Sequence, residues 1–315
     1  MLRSGVHIPH QGRMRTDDWI FEQRVMPHID AVAKHMADYE GVGSMDIQDS
    51  SSFGHLYKRH GRHNKALEWY MRALAEQEKV LEVNHPDTLA TVNCMAVVFS
   101  NQGQYANALE WYGRAFAGRE TALGVDHPDT LATVNGMALV FNKQGHYGKA
   151  LEWYGRALAG KEKALGIDHP DTLTTVHCMA VVFDDQGQYG KSLEWYGRVL
   201  AGYEKALGAD HPDTLTTVHS MAVVFDRQGQ YDKALEWYAR ALAGYEKELG
   251  VDHPDTLGTV NRMALVFNKQ GQHDKALGWL GRALAGREKV LGVDHPDTLA
   301  TVPWYGRGIL QPRTV

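Results

Sequence analysis

The chain has 315 residues and carries 33 Lys and Arg against 38 Asp and Glu, a formal charge of −5. A hydrophobic fraction of 43% with 8 Trp, 14 Tyr and 8 Phe excludes global disorder, and the near-balanced charge excludes the concentrated basic field of a nucleic-acid or membrane-surface protein. No apolar run approaches the roughly 20 residues of a membrane span, the start MLRSGVHIPHQGRM lacks the apolar stretch of a secretory signal, and two cysteines, Cys94 and Cys178, are too few for a disulfide framework, so a cytoplasmic location is expected.

Residues 1–42 read as a leader with capping helices. Within it, 15–40 hold two short helical patterns broken at Pro27. Ile29, Val32, Ala33 and Met36 form one apolar stripe, suited to covering the start of whatever follows.

A repeat follows. The string HPDTL occurs at 85, 127, 169, 211, 253 and 295, always 42 residues apart. The text between the strings recurs as well, and a diverged copy at 51–84 has Gly61, Ala66, Trp69 and Tyr70 in phase. Six units of 42 residues therefore fill 43–294. A fixed period in this range means a stacked array.

Each unit reads as two helices. Pro86 suits a first helical turn, where its missing N–H costs nothing, and Asp87 suits the positive end of the helix dipole. Leu89, Val92, Met95, Ala96 and Phe99 recur at helical spacing, and Gly103 marks a stop. A second helical run carries Ala108, Leu109, Trp111, Tyr112, Ala115, Phe116 and Leu123, and ends at Gly124. One helix pair cannot bury both its faces, so neighbours must stack. The expected fold is all-α, a right-handed α-solenoid of stacked helix-turn-helix repeats.

The pattern Met95-Ala96-x-x-Phe99, Gln102-Gly103-x-Tyr105, Ala108-Leu109-x-x-Tyr112-x-x-Ala115 resembles the tetratricopeptide repeat. The 42-residue spacing, the long second helix and Leu-Gly-x-Asp-His-Pro-Asp-Thr resemble the kinesin-light-chain variety. That resemblance implies an interaction protein whose first helices line a concave groove for peptides. The phrase Val25-Met26-Pro27-His28-Ile29-Asp30 is similar to the bridge ahead of the repeats in fungal NB-ARC–TPR receptors, which implies the sensor region of a larger receptor. No GxxxxGK[ST] phosphate loop occurs, so no ATPase module is expected within the chain. Forty-two leader residues interrupted by a proline are too few for the heptads with which a kinesin light chain joins its heavy chain.

Residues 295–315 read as a truncated seventh repeat and tail. Pro303 stands where the other copies have Asn or His, and Trp304-Tyr305-Gly306-Arg307 restates the second-helix text, as though the stretch between had been skipped. Such an end is expected to leave Leu277, Leu280 and Leu284 partly uncovered and to favour self-association.

Chemistry candidates are few. His-Pro-Asp matches the J-domain co-chaperone signature, but it recurs six times at the structural period, which favours a role in starting helices. Repeat-spaced histidines, about 10 Å apart by helix-packing distances, do not meet at one ion, so neither metal nor cofactor is expected. The Trp-Tyr pairs, such as Trp111-Tyr112, read as packing between repeats. No nucleophile, base and oxyanion arrangement occurs, so no enzyme is expected.

Comparing the copies with one another points to a surface. Within the first helix, the columns that vary lie 5, 8, 9, 12, 15 and 16 residues after the His. At about 100° per residue they share one arc of roughly 120°. They include Asn93, Asn135, His177, His219 and Asn261; Cys94, Gly136, Cys178, Ser220 and Arg262; Ser100, Asn142, Asp184, Asp226 and Asn268; and Asn101, Lys143, Asp185, Arg227 and Lys269. By the family resemblance these columns form a partner-binding groove, although the second Asn of the light-chain pair is replaced here by Cys, Gly, Ser or Arg. Arg227, Arg262 and Lys269 predict an acidic residue in the ligand. The expected function is a non-enzymatic scaffold for a peptide or partner domain. A kinesin-light-chain-like cargo adaptor is the alternative, and an HPD-dependent co-chaperone the alternative from another class.

Overall fold

In the computed structural model, residues 26–32, 35, 47–293 and 298–301 are described. They are helical, with no strand among them. Twelve helices follow in order: α1 Ile47–Arg59, α2 His63–Val80, α3 Pro86–Asn101, α4 Tyr105–Leu123, α5 Pro128–Lys143, α6 Tyr147–Leu165, α7 Pro170–Asp185, α8 Tyr189–Ala206, α9 Pro212–Arg227, α10 Tyr231–Glu248, α11 Pro254–Lys269 and α12 His273–Leu291. A further helical stretch covers 26–32. The chain divides into two compact units between Val182 and Phe183, inside α7. In the unit Met26–Val182, consecutive helices from α1 to α6 pack as neighbours; in the unit from Phe183, those from α8 to α12 do so. All-helical repeats built from successive helix pairs are what the 42-residue period predicts.

The repeated HPDT text explains how each first helix starts. The residue before the proline is the N-cap, and its imidazole does the capping. His85 Nδ1 accepts from the Asp87 N–H at 3.2 Å, and His127, His169, His211 and His253 do the same at 3.1–3.2 Å. An accepting Nδ1 holds its lone pair, so the ring proton sits on Nε2. This satisfies one of the N–H groups that a helix start leaves without a partner, a contribution of about 1 kcal/mol. The threonine of the same motif reaches back: Thr130 Oγ1 donates to the Gly124 carbonyl at 2.9 Å, and Thr214 and Thr256 repeat the bond to Gly208 and Gly250 at 2.8 Å. The motif thus caps one helix and ties it to the end of the one before.

Glycine closes both turns. Gly103, between α3 and α4, has φ +76°, and Gly124, after α4, has φ +92°; a Cβ is strained in both. Elsewhere glycine permits close approach. A Cβ on Gly118 would lie 2.6 Å from a Leu89 methyl, and one on Gly244 would lie 2.4 Å from a Leu215 methyl.

The core is made of the columns that do not vary. Val92, Met95 and Val98 join Tyr70, Trp69 and Leu74 in the first unit. Val260, Met263 and Val266 join Tyr238, Leu242 and Ala283 in the second. The Trp-Tyr pairs divide their work. Tyr112 is buried, whereas Trp111 stacks on Phe99 of its own repeat at 6.4 Å; the contact between repeats falls to Phe116 and Trp153, at 6.0 Å.

The stretch 26–32 corrects the expected apolar stripe. Pro27 is the second described residue of this helical stretch, and the pattern expected before it lies outside the described residues. Met26 is fully buried in the Tyr57–Trp69 cluster with Ile29 against it, while Val32 is half exposed. Ala33 and Met36 lie outside the described residues. Asp30 is the polar anchor, accepting from Tyr57 Oη at 2.9 Å, from Lys65 Nζ at 2.6 Å and from Arg62. Burial pushes this carboxyl upward, but the three hydrogen bonds outweigh it and hold Asp30 down at about 2. Pro303 and the tail after it also lie outside the described residues. Leu280, one of the three leucines expected to be uncovered, is buried, while Leu277 and Leu284 are half-buried.

Candidate interaction surface

The varying columns of the first helices do three different things. In the column five residues after the histidine, Ala90 and Ala132 are exposed, Thr174 and Gly258 are half-buried and Thr216 is buried; Asn101, at the far end of its helix, is exposed.

The column of Asn93 is engaged between repeats. Thr133 Oγ1 donates to Asn93 Oδ1 at 3.3 Å, Asn135 Nδ2 donates to Thr175 Oγ1 at 2.8 Å, and His219 Nδ1 meets Thr259 Oγ1 at 3.0 Å. Each bond joins a varying position to an unvarying threonine 40 residues on. Asn93, Asn135, His219 and Asn261 are half-buried, and His177 is buried. A varying column is thereby also a staple.

The last two columns form a ladder. Ser100, Asn142, Asp184 and Asp226 are buried, not exposed as the helical arc predicts, whereas Asn268 is exposed. The physical reason is visible for three of them. A cation 43 residues later, on the next repeat, lies across each: Lys143 Nζ donates to the Ser100 hydroxyl at 3.3 Å and to its carbonyl at 3.5 Å. Arg227 Nη1 lies 2.8 Å from Asp184 Oδ2 and 3.4 Å from Asp185 Oδ1. Lys269 Nζ donates to both oxygens of Asp226 at 2.7 Å. Lys143, opposed only by neutral oxygens, has its pKa lowered by burial. Burial acts on Arg227 in the same sense, but Asp184 and Asp185 outweigh it and raise its pKa.

Asp184 behaves differently. Burial raises its carboxyl to about 6; Arg227 opposes the rise and Asp185 adds to it. Its Oδ1 is buried without a hydrogen-bond partner. Two cations on which the acidic-ligand expectation rests, Arg227 and Lys269, are therefore already matched by carboxylates of the chain. The third, Arg262, is half-buried beside Tyr238, whose hydroxyl is buried without a partner.

The column of Arg262 meets the tyrosine of the preceding second helix. Gly136 leaves room for the Tyr112 ring, from which a Cβ would stand 2.5 Å away. Cys178 bonds to Tyr154, and burial, the larger effect, pushes its thiol up to about 11. Both cysteines are free thiols.

On the second helices, a parallel set of ion pairs links successive repeats: Arg114 with Glu78, Arg156 with Glu120, Arg240 with Glu204, and Arg282 with Glu246. Sequence reading at a strict period of 42 misses these pairs and the ladder alike. The signal was an arginine or lysine 36 or 43 positions after an acid.

Tetratricopeptide repeat models match residues 87–163, 135–205 and 171–247, and a second such model matches 51–87 and 256–297. The chain belongs to the tetratricopeptide repeat family. No curated protein matches it. Among solved structures, this repeat protein is similar to a putative kinesin light chain with nearly identical TPR-like repeats from Podosopora anserina, at 26% identity over 64% of this chain and 95% of that one, with a TM-score of 0.51. It shares its fold with BtubC from P. vanneervenii, at 18% identity over 80% of this chain and 95% of that one, TM-score 0.57. NprR in complex with its cognate peptide NprX shares the fold too, at 16% identity over 95% of this chain and 84% of that one, TM-score 0.60. No described helix is long and apolar enough to cross a membrane.

Proposed function

We propose that this tetratricopeptide repeat scaffold is a non-enzymatic, cytoplasmic interaction protein that takes a peptide or an extended segment of a partner along the varying face of its first helices. The observation that carries the reading is the separation within one helix. The core columns repeat almost unchanged, while exposed positions such as Ala90, Asn101 and Ala132 adjoin a half-buried polar row that offers donors and acceptors to a ligand backbone. NprR, a structure of like fold, is described with a bound peptide, which supports this use of the fold. The organisation proposed with it is a capping leader at 1–42, six repeats at 43–294 and an incomplete seventh at 295–315.

A second reading, a cargo adaptor of the kinesin-light-chain kind, is favoured by the similarity to the putative kinesin light chain. The two readings share the surface and differ in the partner.

The test uses exposed alanines, so that the fold is spared. Binders selected from a displayed random nonapeptide library on the wild-type chain would be measured against Ala90→Arg and Ala132→Arg. Loss of binding with unchanged helicity supports the surface. Full binding by both variants, or no binders at all, overturns it.

A further inference from the structure

The rungs at the C-terminal ends of the first helices share a register but not a counter-ion. Lys269 Nζ holds both oxygens of Asp226 at 2.7 Å, and Arg227 Nη1 lies 2.8 Å from Asp184 Oδ2. At the same register Lys143 meets only neutral oxygens, the Ser100 hydroxyl at 3.3 Å and the Ser100 carbonyl at 3.5 Å. Serine stands there where the other two rungs have aspartate. Both contacts are longer than the roughly 2.7–2.9 Å of an ammonium on a carboxylate, and they use two of its three N–H groups. No carboxylate among the described residues offsets the burial that lowers the Lys143 pKa. His63, at the start of α2, feels the lysine's charge and adds none that is negative: burial, and after it Lys143, hold its imidazole below the usual range. Lys143 is half-buried, and Asn101, next to Ser100 in the chain, is exposed, so the rung borders the open part of the varying face. A half-buried cation with neutral partners adds little to folding. Its charge is more useful to a ligand than to the scaffold.

We propose that Lys143, held in place by Ser100, is a subsite for a carboxylate of the ligand, an aspartate or glutamate side chain of a bound peptide, which brings from outside the acid that Asp184 and Asp226 provide from within. The inference deepens the function proposed above and rests on it. It keeps the acidic ligand residue expected from the sequence and assigns it to a different cation, because Arg227 and Lys269 already face carboxylates of the chain. The incoming carboxylate accepts from the N–H of Lys143 that Ser100 leaves unused. Partial burial of the ammonium makes that pair stronger than one between two exposed side chains.

The experiment compares selected peptides on three chains. A displayed random nonapeptide library is selected on the wild type, on Lys143→Met and on Ser100→Asp at pH 7.5, and circular dichroism confirms that all three are equally helical. The first variant removes the cation, and the second gives this rung an acid of its own, as the other two rungs have. The strongest wild-type binder is then remade with each Asp or Glu in turn replaced by Asn or Gln, which keeps the shape and removes the charge. The expected result is enrichment of Asp or Glu at one position, and a loss of about tenfold on the wild type for the amide peptide, between an exposed pair and a buried one. On each variant the same replacement should change affinity by less than about twofold. Peptides that bind without acidic enrichment, or an amide replacement that costs as much on either variant as on the wild type, overturn the subsite while leaving the scaffold in place. A library with no binders overturns both.

Discussion

The two units run the same helical text with different chemistry at the same register. In Met26–Val182, the rung that can be followed sets Lys143 over the Ser100 hydroxyl and carbonyl. In the unit from Phe183, the rungs are Arg227 over Asp184 and Asp185, and Lys269 over Asp226. The described staple bonds are asparagine with threonine in the first unit and histidine with threonine in the second, although each unit's column holds both residue types. Helix starts, turn glycines and core columns are shared. Packing fixes the second set, whereas the first is free to vary because it requires only that some donor meet some acceptor. Packing common to the repeats and polar chemistry particular to each are thus written in separate columns of one helix.

The largest expected effect tests what is shared. Gly160→Val and Gly244→Val each force side-chain atoms into a leucine, whose methyls would lie 2.7 Å and 2.4 Å from the new Cβ. Each should destabilise its unit by about 3 kcal/mol, seen as an earlier urea midpoint. A clear inequality between the two would show that the scaffold is not common to both units.

The next test separates the rungs. Arg227→Met strands Asp184 among buried groups and should cost about 2 kcal/mol, less than for a fully buried pair because the arginine is partly exposed. Lys143→Met removes a lysine whose burial disfavours its charge and whose partners are neutral. It should cost under about 0.5 kcal/mol or stabilise. Equal costs in urea unfolding would erase the distinction drawn between the units.

Of the columns themselves, the sequence made the helical arc legible and left its chemistry hidden. Ser100, Asn142, Asp184 and Asp226 fall on the varying arc and read as exposed, because a helical wheel knows only its own helix. Their burial comes in part from a side chain on the next repeat, 43 residues on, which lies across the rung. The His-Pro-Asp motif was legible as a helix start through its proline and aspartate. Its histidine was not, because imidazole is not among the preferred capping side chains and its Nδ1 serves only with the proton on Nε2. The tyrosine column was legible as core from its period alone.

The pH dependence sharpens the comparison with opposite signs. Asp184, raised from its ordinary 3.8 to about 6, favours the folded state most when protonated. Its contribution is full below about pH 4 and fades as pH rises through 6, on the order of 2 kcal/mol. Asp30, lowered to about 2, contributes above pH 4 and loses its contribution as pH falls through 2. Thermal unfolding of Asp184→Asn should therefore lack the decline in stability that the wild type shows between pH 4 and 6. A stability difference between variant and wild type that does not change between pH 4 and 6 contradicts the burial of this carboxyl.

The smallest effect belongs to the shared caps. His127→Ala should cost about 1 kcal/mol, and His127→Ser should restore most of it, since serine supplies the same acceptor. The same pair of changes at His211 in the other unit should give the same two values in urea unfolding. A cost that serine does not recover would assign these histidines a task beyond capping.

The distance of 43 residues between the members of a rung carries a genetic consequence. A recombination event that removes one whole 42-residue unit, for instance 186–227, leaves Asp184 and Asp185 facing Lys269 in place of Arg227, because each cation occupies the same register of its own unit. The loss changes the length of the array and the identity of the base, yet every carboxylate on the described rungs either finds a counter-ion or is itself removed. Alleles that differ by whole units should therefore fold, and variation in the number of repeats would alter the order of rungs along the varying face before it altered whether the protein survives.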